Sequence, residues 1–326
     1  MLGLEIRPYR SALERTWQAL VREIGVDPAS LRSEVLWRRV EDDRVRFVLR
    51  LKRAGAPDLI FKQVFAPHDP EAFRISTVMQ ERMAGALRPP FAAPRVLARA
   101  DNDLALLMEE APGLTAHDAL LEAYGDAAAQ VRVMRSVGGW IGAFHRTSPQ
   151  PERPFRPSFI LNHMRKRRRE LEDGAGALRR PAHYRRALAA LMSYGEPAKG
   201  AVLPVGPNHG DLHAKNILIG PDVVNGIDFR NAHDAPVCYD LARFLVDATA
   251  RVIGPPSEGG SLLGPDLAAA FWEGYGTDLS AHPALDLMIR VRLLEDWQAM
   301  PEGRLGRMQR VRFDNILALA SDLLAA

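Results

Sequence analysis

Residues 207–219 read PNHGDLHAKNILI, and the eight positions 209–216 hold two imidazoles, a carboxylate, an ammonium and an amide directly before an apolar run. Polar groups gathered at the start of a strand need a reason, because groups that enter a protein interior must be paired or used. The residues that follow supply one. ILI at 217–219, a turn at Gly220-Pro221-Asp222, and then VVNGIDF at 223–229 read as a β-hairpin. In such a hairpin Asn216, at the start of the first strand, and Asp228, at the end of the second, come out side by side. With Asp211 in the loop that leads in, two oxygen donors converge beside a second carboxylate. Magnesium takes hard oxygen ligands and completes its shell with water and phosphates. The remaining carboxylate is then free to position an attacking hydroxyl and accept its proton, which is what phosphoryl transfer requires.

A cation for the other phosphates is still needed. Of the 43 lysines and arginines only five are lysine, at positions 52, 62, 166, 199 and 215, so each lysine invites a question. Lys62 lies mid-strand in LIFKQV and shares its pleat face with Ile60 and Val64; a lysine on such a face usually has a partner.

Outward from these motifs, the chain divides by hydrophobic period. Ser11 with Glu14 reads as a capping box opening a helix over 11–24, whose apolar positions Leu13, Trp17, Leu20 and Ile24 recur at helical spacing. From residue 33 the period changes to two: EVLWRRV, then VRFVLRLK with Val45, Phe47, Leu49 and Leu51 on one face, then DLIFKQVF. This is the pattern of an antiparallel meander. A helix follows over 70–87, and VLARADNDLALLMEE reads as two more strands around an Asp-Asn-Asp turn. After Ala111-Pro112-Gly113 the chain becomes mainly helical, through SVGGWIGAFH, LNHMRKRRREL and the stretch from Asp266 onward. The expected fold class is α+β, with a small sheet-and-helix region over 1–110 and a larger, mainly helical region over 111–326.

Composition narrows the function further. An apolar content of 47 % is ordinary for a soluble globular protein. The single cysteine, Cys238, excludes an internal disulfide and a cysteine-based zinc cluster and reads as a small buried apolar residue. MLGLEIRPYR lacks the features of a secretory signal, and no apolar run approaches the roughly 18 residues that span a bilayer. The expectation is a cytoplasmic protein with no membrane partner. Net charge is +3, which with no binding module argues against nucleic acid. Basicity is local: residues 151–200 hold 12 basic against 5 acidic side chains. The run RKRRR at 165–169 would point all the way round a helix, which suits a solvated surface better than one binding stripe.

HGDLHAKN, followed twelve residues after its asparagine by IDF and then by DLARF at 240–244, resembles the aminoglycoside phosphotransferase and choline kinase group, small-molecule relatives of the protein kinases. The resemblance spans roughly residues 33–250 and takes in Lys62, LLMEEAPG as a hinge and VGGWIGAFH as the helix before the catalytic loop. It implies a bilobal protein-kinase-like fold, with a nucleotide-binding lobe over 1–110 and a catalytic and substrate-binding lobe over 111–326. The implied activity is ATP- and Mg²⁺-dependent transfer of the γ-phosphate to a hydroxyl of a small molecule such as an aminoglycoside, amino alcohol or sugar, with GTP open as donor. Asp211 is implied as catalytic base, Asn216 and Asp228 as magnesium ligands, and Lys62 as the cation on the α- and β-phosphates. Glu81 on the following helix is the expected partner of Lys62, with Glu71 as the alternate. Backbone groups of Glu109 to Ala111 would meet the adenine, and Asp240 would brace the catalytic loop. Lys215 either reaches the γ-phosphate or points to solvent; His209 and His213 are expected as scaffold.

Two features depart from the protein kinases. The hairpin tip RRVEDDRVRF contains no glycine, and Arg230 follows Asp228-Phe229 where a glycine is usual. Two other readings stay open, an atypical bacterial protein Ser/Thr kinase and a non-catalytic nucleotide-binding regulator. So does the charge of the acceptor: Glu273, Asp278, Asp286, Glu295 and Asp296 suit a cation, while Arg290, Arg292 and the 151–200 segment suit an anion. The sequence sets no oligomeric state.

Overall fold

A computed structural model describes residues 7–41, 44–65, 69–173, 178–257 and 260–324. In chain order the elements are α1 (Arg7–Glu23), β1 (Leu31–Glu41), β2 (Arg44–Arg53), β3 (Leu59–Phe65), α2 (Pro70–Ala86), β4 (Phe91–Ala92), β5 (Val96–Ala100), β6 (Ala105–Glu109) and β7 (Leu114–Thr115). There follow α3 (Ala116–Glu122), α4 (Ala127–His145), β8 (Gln150–Pro154), α5 (Ser158–Glu172), α6 (Pro181–Leu191), α7 (Gly195–Ala198), β9 (Val202–Pro207), β10 (Ile217–Ile219), β11 (Val224–Gly226) and β12 (Asp234–Pro236). The chain closes with α8 (Cys238–Ala248), α9 (Pro265–Tyr275), α10 (Pro283–Gln298) and α11 (Arg307–Leu323). The fold is α+β, as the change of period in the sequence requires.

The chain forms two compact units, Met1–Gly113 with Gly220–Ala232, and Leu114–Ile219 with His233–Ala326. The first thus continues through the Ala111-Pro112-Gly113 bend and takes back a segment that the sequence pattern leaves with the second. Backbone pairing is the reason: β11 runs parallel to β4, with Val224 opposite Phe91, and the Ser76 hydroxyl donates to the Phe229 carbonyl at 2.6 Å.

In the first unit a five-stranded sheet has the order β1-β2-β3-β6-β5, with every neighbouring pair antiparallel. Val45, Phe47, Leu49 and Leu51, the face picked out by alternation, are all buried, and pack with Phe61 and Leu107 against Leu13, Trp17, Leu20 and Val21 of α1. The opposite face carries Ile60 and Val64 beside Phe73 of α2, Leu106 and Met108, and Lys62 belongs to this second face. α1 begins at Arg7, so Ser11 is inside the helix and caps nothing; Glu14 instead pairs with Arg10 at 2.9 Å. Tertiary contact extends the helix backwards, because Tyr9 lies 4.9 Å from Phe65 and 5.6 Å from Phe47, ring to ring. Asp42 and Asp43 of the glycine-free tip lie outside the described residues.

The second unit is mainly helical. α4 and α9 approach so closely that a Cβ at Gly138 would sit 2.1 Å from the Phe271 carbonyl oxygen, and one at Gly274 the same distance from that of Arg135. Glycine is required here for contact between two helix backbones, a use the motif VGGWIGAFH does not announce. β8, β9 and β12 form an antiparallel sheet, and β10 pairs with β7. RKRRR falls on α5, where Arg165, Lys166 and Arg169 are exposed and Arg167 turns to Glu170 at 3.1 Å. Cys238 is fully buried, and burial pushes its thiol well above the ordinary range, as a packing residue requires. No helix among the described residues is long and apolar enough to cross a membrane.

Candidate active site

In the second unit the loop between β9 and β10 carries HGDLHAKN. Gly210 adopts φ +77, the left-handed region that favours glycine, and so reverses the chain just before Asp211. The reversal is held from below by Asp240, near the start of α8. Its carboxylate, 2 % exposed, accepts the backbone amides of His209 at 2.7 Å and Gly210 at 3.3 Å. Burial works against the charge, but His145, whose Nε2 lies 3.6 Å away, and the His209 amide outweigh it and hold Asp240 below the usual carboxylate range. His145 is oriented in turn by its Nδ1, 3.0 Å from the Tyr275 hydroxyl. His209 is fully buried, edge-on to Trp140 and Phe144, which stack on each other at 5.3 Å. Its surroundings are those of scaffold.

The far end of the loop is fixed by Asn216. Its side-chain Nδ2 donates to the Asp211 carbonyl at 2.9 Å, which leaves the amide oxygen as the group able to meet a cation. Asp247, one helical stretch beyond Asp240, accepts the Ala214 amide at 3.3 Å and pairs with Arg251. His213 has its pKa lowered by burial and, to a lesser degree, by Arg243 and Arg251, against the pull of Asp247 and Asp211. Lys215 is exposed.

The Asp211 side chain is only 7 % exposed, and its Oδ1 is in an ion pair with Nη2 of Arg243, itself 27 % exposed. Sequence reasoning missed Arg243, although a signal was present. In DLARF it follows the bracing aspartate by three residues, and positions i and i+3 of a helix share a face.

In the first unit Lys62 and Asp228 form an ion pair, although 166 residues separate them. Asp228 has φ +63, an uncommon conformation for a residue with a side chain, and the fully buried Phe229 after it is tied to α2 through Ser76. Glu81 and Glu71, the two residues expected as partners of Lys62, make other contacts in this structure. The Glu81 carboxylate faces Arg99 at 3.3 Å and is 42 % exposed, and Glu71 pairs with Arg74 at 3.5 Å. Lys62 meets Asp228 instead of either. At the hinge, the Glu109 amide donates to the Arg95 carbonyl at 3.0 Å and the Glu110 amide to that of Asp58 at 3.3 Å. These bonds occupy the amides of Glu109 and Glu110 and do not involve their carbonyls. The Glu109 side chain is paired with Arg95, which with backbone hydrogen bonding holds its carboxyl low against partial burial.

The sequence model of the phosphotransferase enzyme family matches residues 28–287. The chain belongs to this family. As a member it is a phosphotransferase, and its fold recurs in solved kinases. A choline kinase from Cryptosporidium parvum Iowa II superposes with a TM-score of 0.58 at 12 % identity, covering 97 % of this chain and 96 % of the other. A choline/ethanolamine kinase family protein from Mesorhizobium loti gives 0.55 at 13 %, covering 90 % and 88 %. A macrolide 2'-phosphotransferase from Brachybacterium faecium gives 0.53 at 15 %, covering 89 % and 99 %. At such identities the likeness speaks for the fold alone. No curated protein matches the chain by sequence.

The donors in each unit suit magnesium by type. Among the described residues no three His, Cys, Asp or Glu side chains gather as a metal-binding group. Magnesium does not need such a cage, since it is commonly held by one or two protein oxygens with phosphate and water completing the shell. The Asn216 amide oxygen and the Asp228 carboxylate are oxygens of that kind.

Proposed function

We propose that this phosphotransferase moves the γ-phosphate of ATP, with Mg²⁺, to a hydroxyl of a small molecule, and that it works in the cytoplasm. The observation that carries the reading is the contact between Lys62 and Asp228. The two residues assigned on separate grounds to the nucleotide phosphates and to the metal meet within one compact unit across 166 residues of chain. An ammonium and a carboxylate in contact offer one place where a phosphate and its cation are both balanced.

Lys62 then binds the α- and β-phosphates, the Ala111 amide receives the base beside Glu109, and the metal-ligand roles fall to Asn216 and Asp228. Bound Mg²⁺ would neutralise charge spreading over the transferring phosphoryl oxygens. Asp211 orients the acceptor hydroxyl and takes its proton. The loop that carries it needs no reorganisation, because Asp240, Asn216 and Gly210 fix its path. Lys215, exposed on the same loop, is free to approach the γ-phosphate. Glu81 has no part in this reading, since its charge is spent on Arg99 at the surface.

Replacing Asp211 with asparagine tests the assignment. The expected result is loss of ATP-dependent acceptor phosphorylation by about 10²–10⁴-fold, the usual weight of a positioned base, with nucleotide binding retained. Normal turnover in Asp211→Asn would remove the base from the scheme. Label from γ-labelled ATP found on protein rather than on small molecules would favour a protein kinase.

A further inference from the structure

We infer that the accepting molecule is a hydroxy acid, with a carboxylate a few bonds from the hydroxyl that receives the phosphate, and that Arg243 reads that carboxylate. The inference rests on the phosphotransfer reading and deepens it.

It starts from Asp211. An almost fully buried carboxylate must be partnered, and here one partner is the Arg243 guanidinium, on the helix whose first turn carries Asp240. A group that receives a substrate hydroxyl on Asp211 therefore arrives in contact with Arg243. For an acceptor whose positive charge lies next to the reacting hydroxyl, such as an amino alcohol, this is the wrong environment. A second cation brought within a few ångströms of a partly buried guanidinium is repelled, which selects against it. For a hydroxy acid the same geometry is an exchange. The incoming carboxylate takes Arg243 and the incoming hydroxyl takes Asp211; as the hydroxyl oxygen bonds the γ-phosphorus and ADP departs, the hydroxyl proton passes to Asp211, which leaves one carboxylate facing Arg243 as before.

The shape of the site favours a carboxylate over a phosphate. Arg243 already holds a carboxylate, that of Asp211, and the planar guanidinium fork fits another such group through two parallel hydrogen bonds. A phosphate dianion would instead bring a second negative charge beside the phosphoryl group in transfer. Arg251 and Lys215 lie at the same loop, Arg251 through Asp247 and Lys215 on the loop itself, while Asp240 and Asp247 stand beneath it, so these charges are balanced and the selection falls to Arg243, which is in contact with Asp211.

The test compares matched acceptors with ATP and Mg²⁺: hydroxy acids, their neutral amides, the corresponding amino alcohols and phosphorylated alcohols, read by ³¹P NMR of the product. The full-length wild type should phosphorylate acids with kcat/KM about 10- to 100-fold above the matched amides, the worth of one charge-assisted hydrogen bond. Arg243→Met should lose that preference through a raised KM for the acid, and Arg243→Lys should recover part of it. Binding of a fluorescent ATP analogue to each variant reports that it is folded. A wild type that prefers amides, amino alcohols or phosphorylated alcohols overturns the inference while phosphotransfer stands, and so does an acid preference that survives in Arg243→Met. Product from no acceptor would sink phosphotransfer itself.

Discussion

Asp240→Asn isolates the element on which the catalytic loop rests. The substitution keeps shape and removes one charge, and in the structure the Asp240 carboxylate accepts two buried backbone amides, at 2.7 and 3.3 Å. Asparagine offers one acceptor oxygen, so one amide keeps a neutral bond and the other faces an NH₂ group. Weakening one charge-assisted bond and stranding one buried N–H together cost about 2–4 kcal/mol. Urea unfolding followed by tryptophan fluorescence should show the unfolding free energy falling by this amount, as a lower midpoint at unchanged slope, and Trp140, packed on His209, lies close to the change. Turnover should fall as well, because the two amides belong to the residues immediately before Asp211. The pH dependence gives an independent check. Asp240 is held below its ordinary value, so the stability it contributes is complete above the unfolded carboxyl pKa of about 3.9. That stability is lost as pH falls through the folded value, and the gap between wild type and variant should close in the same direction. Equal midpoints and equal turnover at neutral pH would refute the bracing role.

Two other substitutions separate packing from chemistry. Gly138→Ala should destabilise the protein by at least about 1–3 kcal/mol, the usual cost of overpacking, because the added methyl would meet the Phe271 carbonyl on α9; thermal unfolding measures it. Glu81→Gln should leave kcat and KM for nucleotide within about twofold of wild type and cost under about 1 kcal/mol in urea, as befits an exposed ion pair with Arg99. A large rise in KM would return Glu81 to the nucleotide site.

The elements were legible where local chemistry specifies them. Alternation marked β1 to β3 and the buried face from Val45 to Leu51, and the Asp-Asn-Asp turn marked the break between β5 and β6. The motif at 207–219 was legible because glycine, carboxylate and amide at that spacing have few other uses. The start of α1 was misread from Ser11 because Tyr9, packing on Phe47 and Phe65, extends the helix beyond a plausible cap. The membership of 220–232 was hidden because β11 pairs with β4, a strand of two residues too short to leave a pattern.

What the sequence determined by itself was the family and the α+β class, together with the residue types of the proposed reaction centre, since these follow from period, motif and composition. Only the tertiary structure decided which charges meet. Lys62 had Glu81 at a plausible helical distance and took Asp228 instead, while Glu81 took Arg99 and Asp211 took Arg243. Ion pairs are chosen by distance and burial after packing. Those quantities depend on how far apart folded segments lie, and separation along the chain does not carry them.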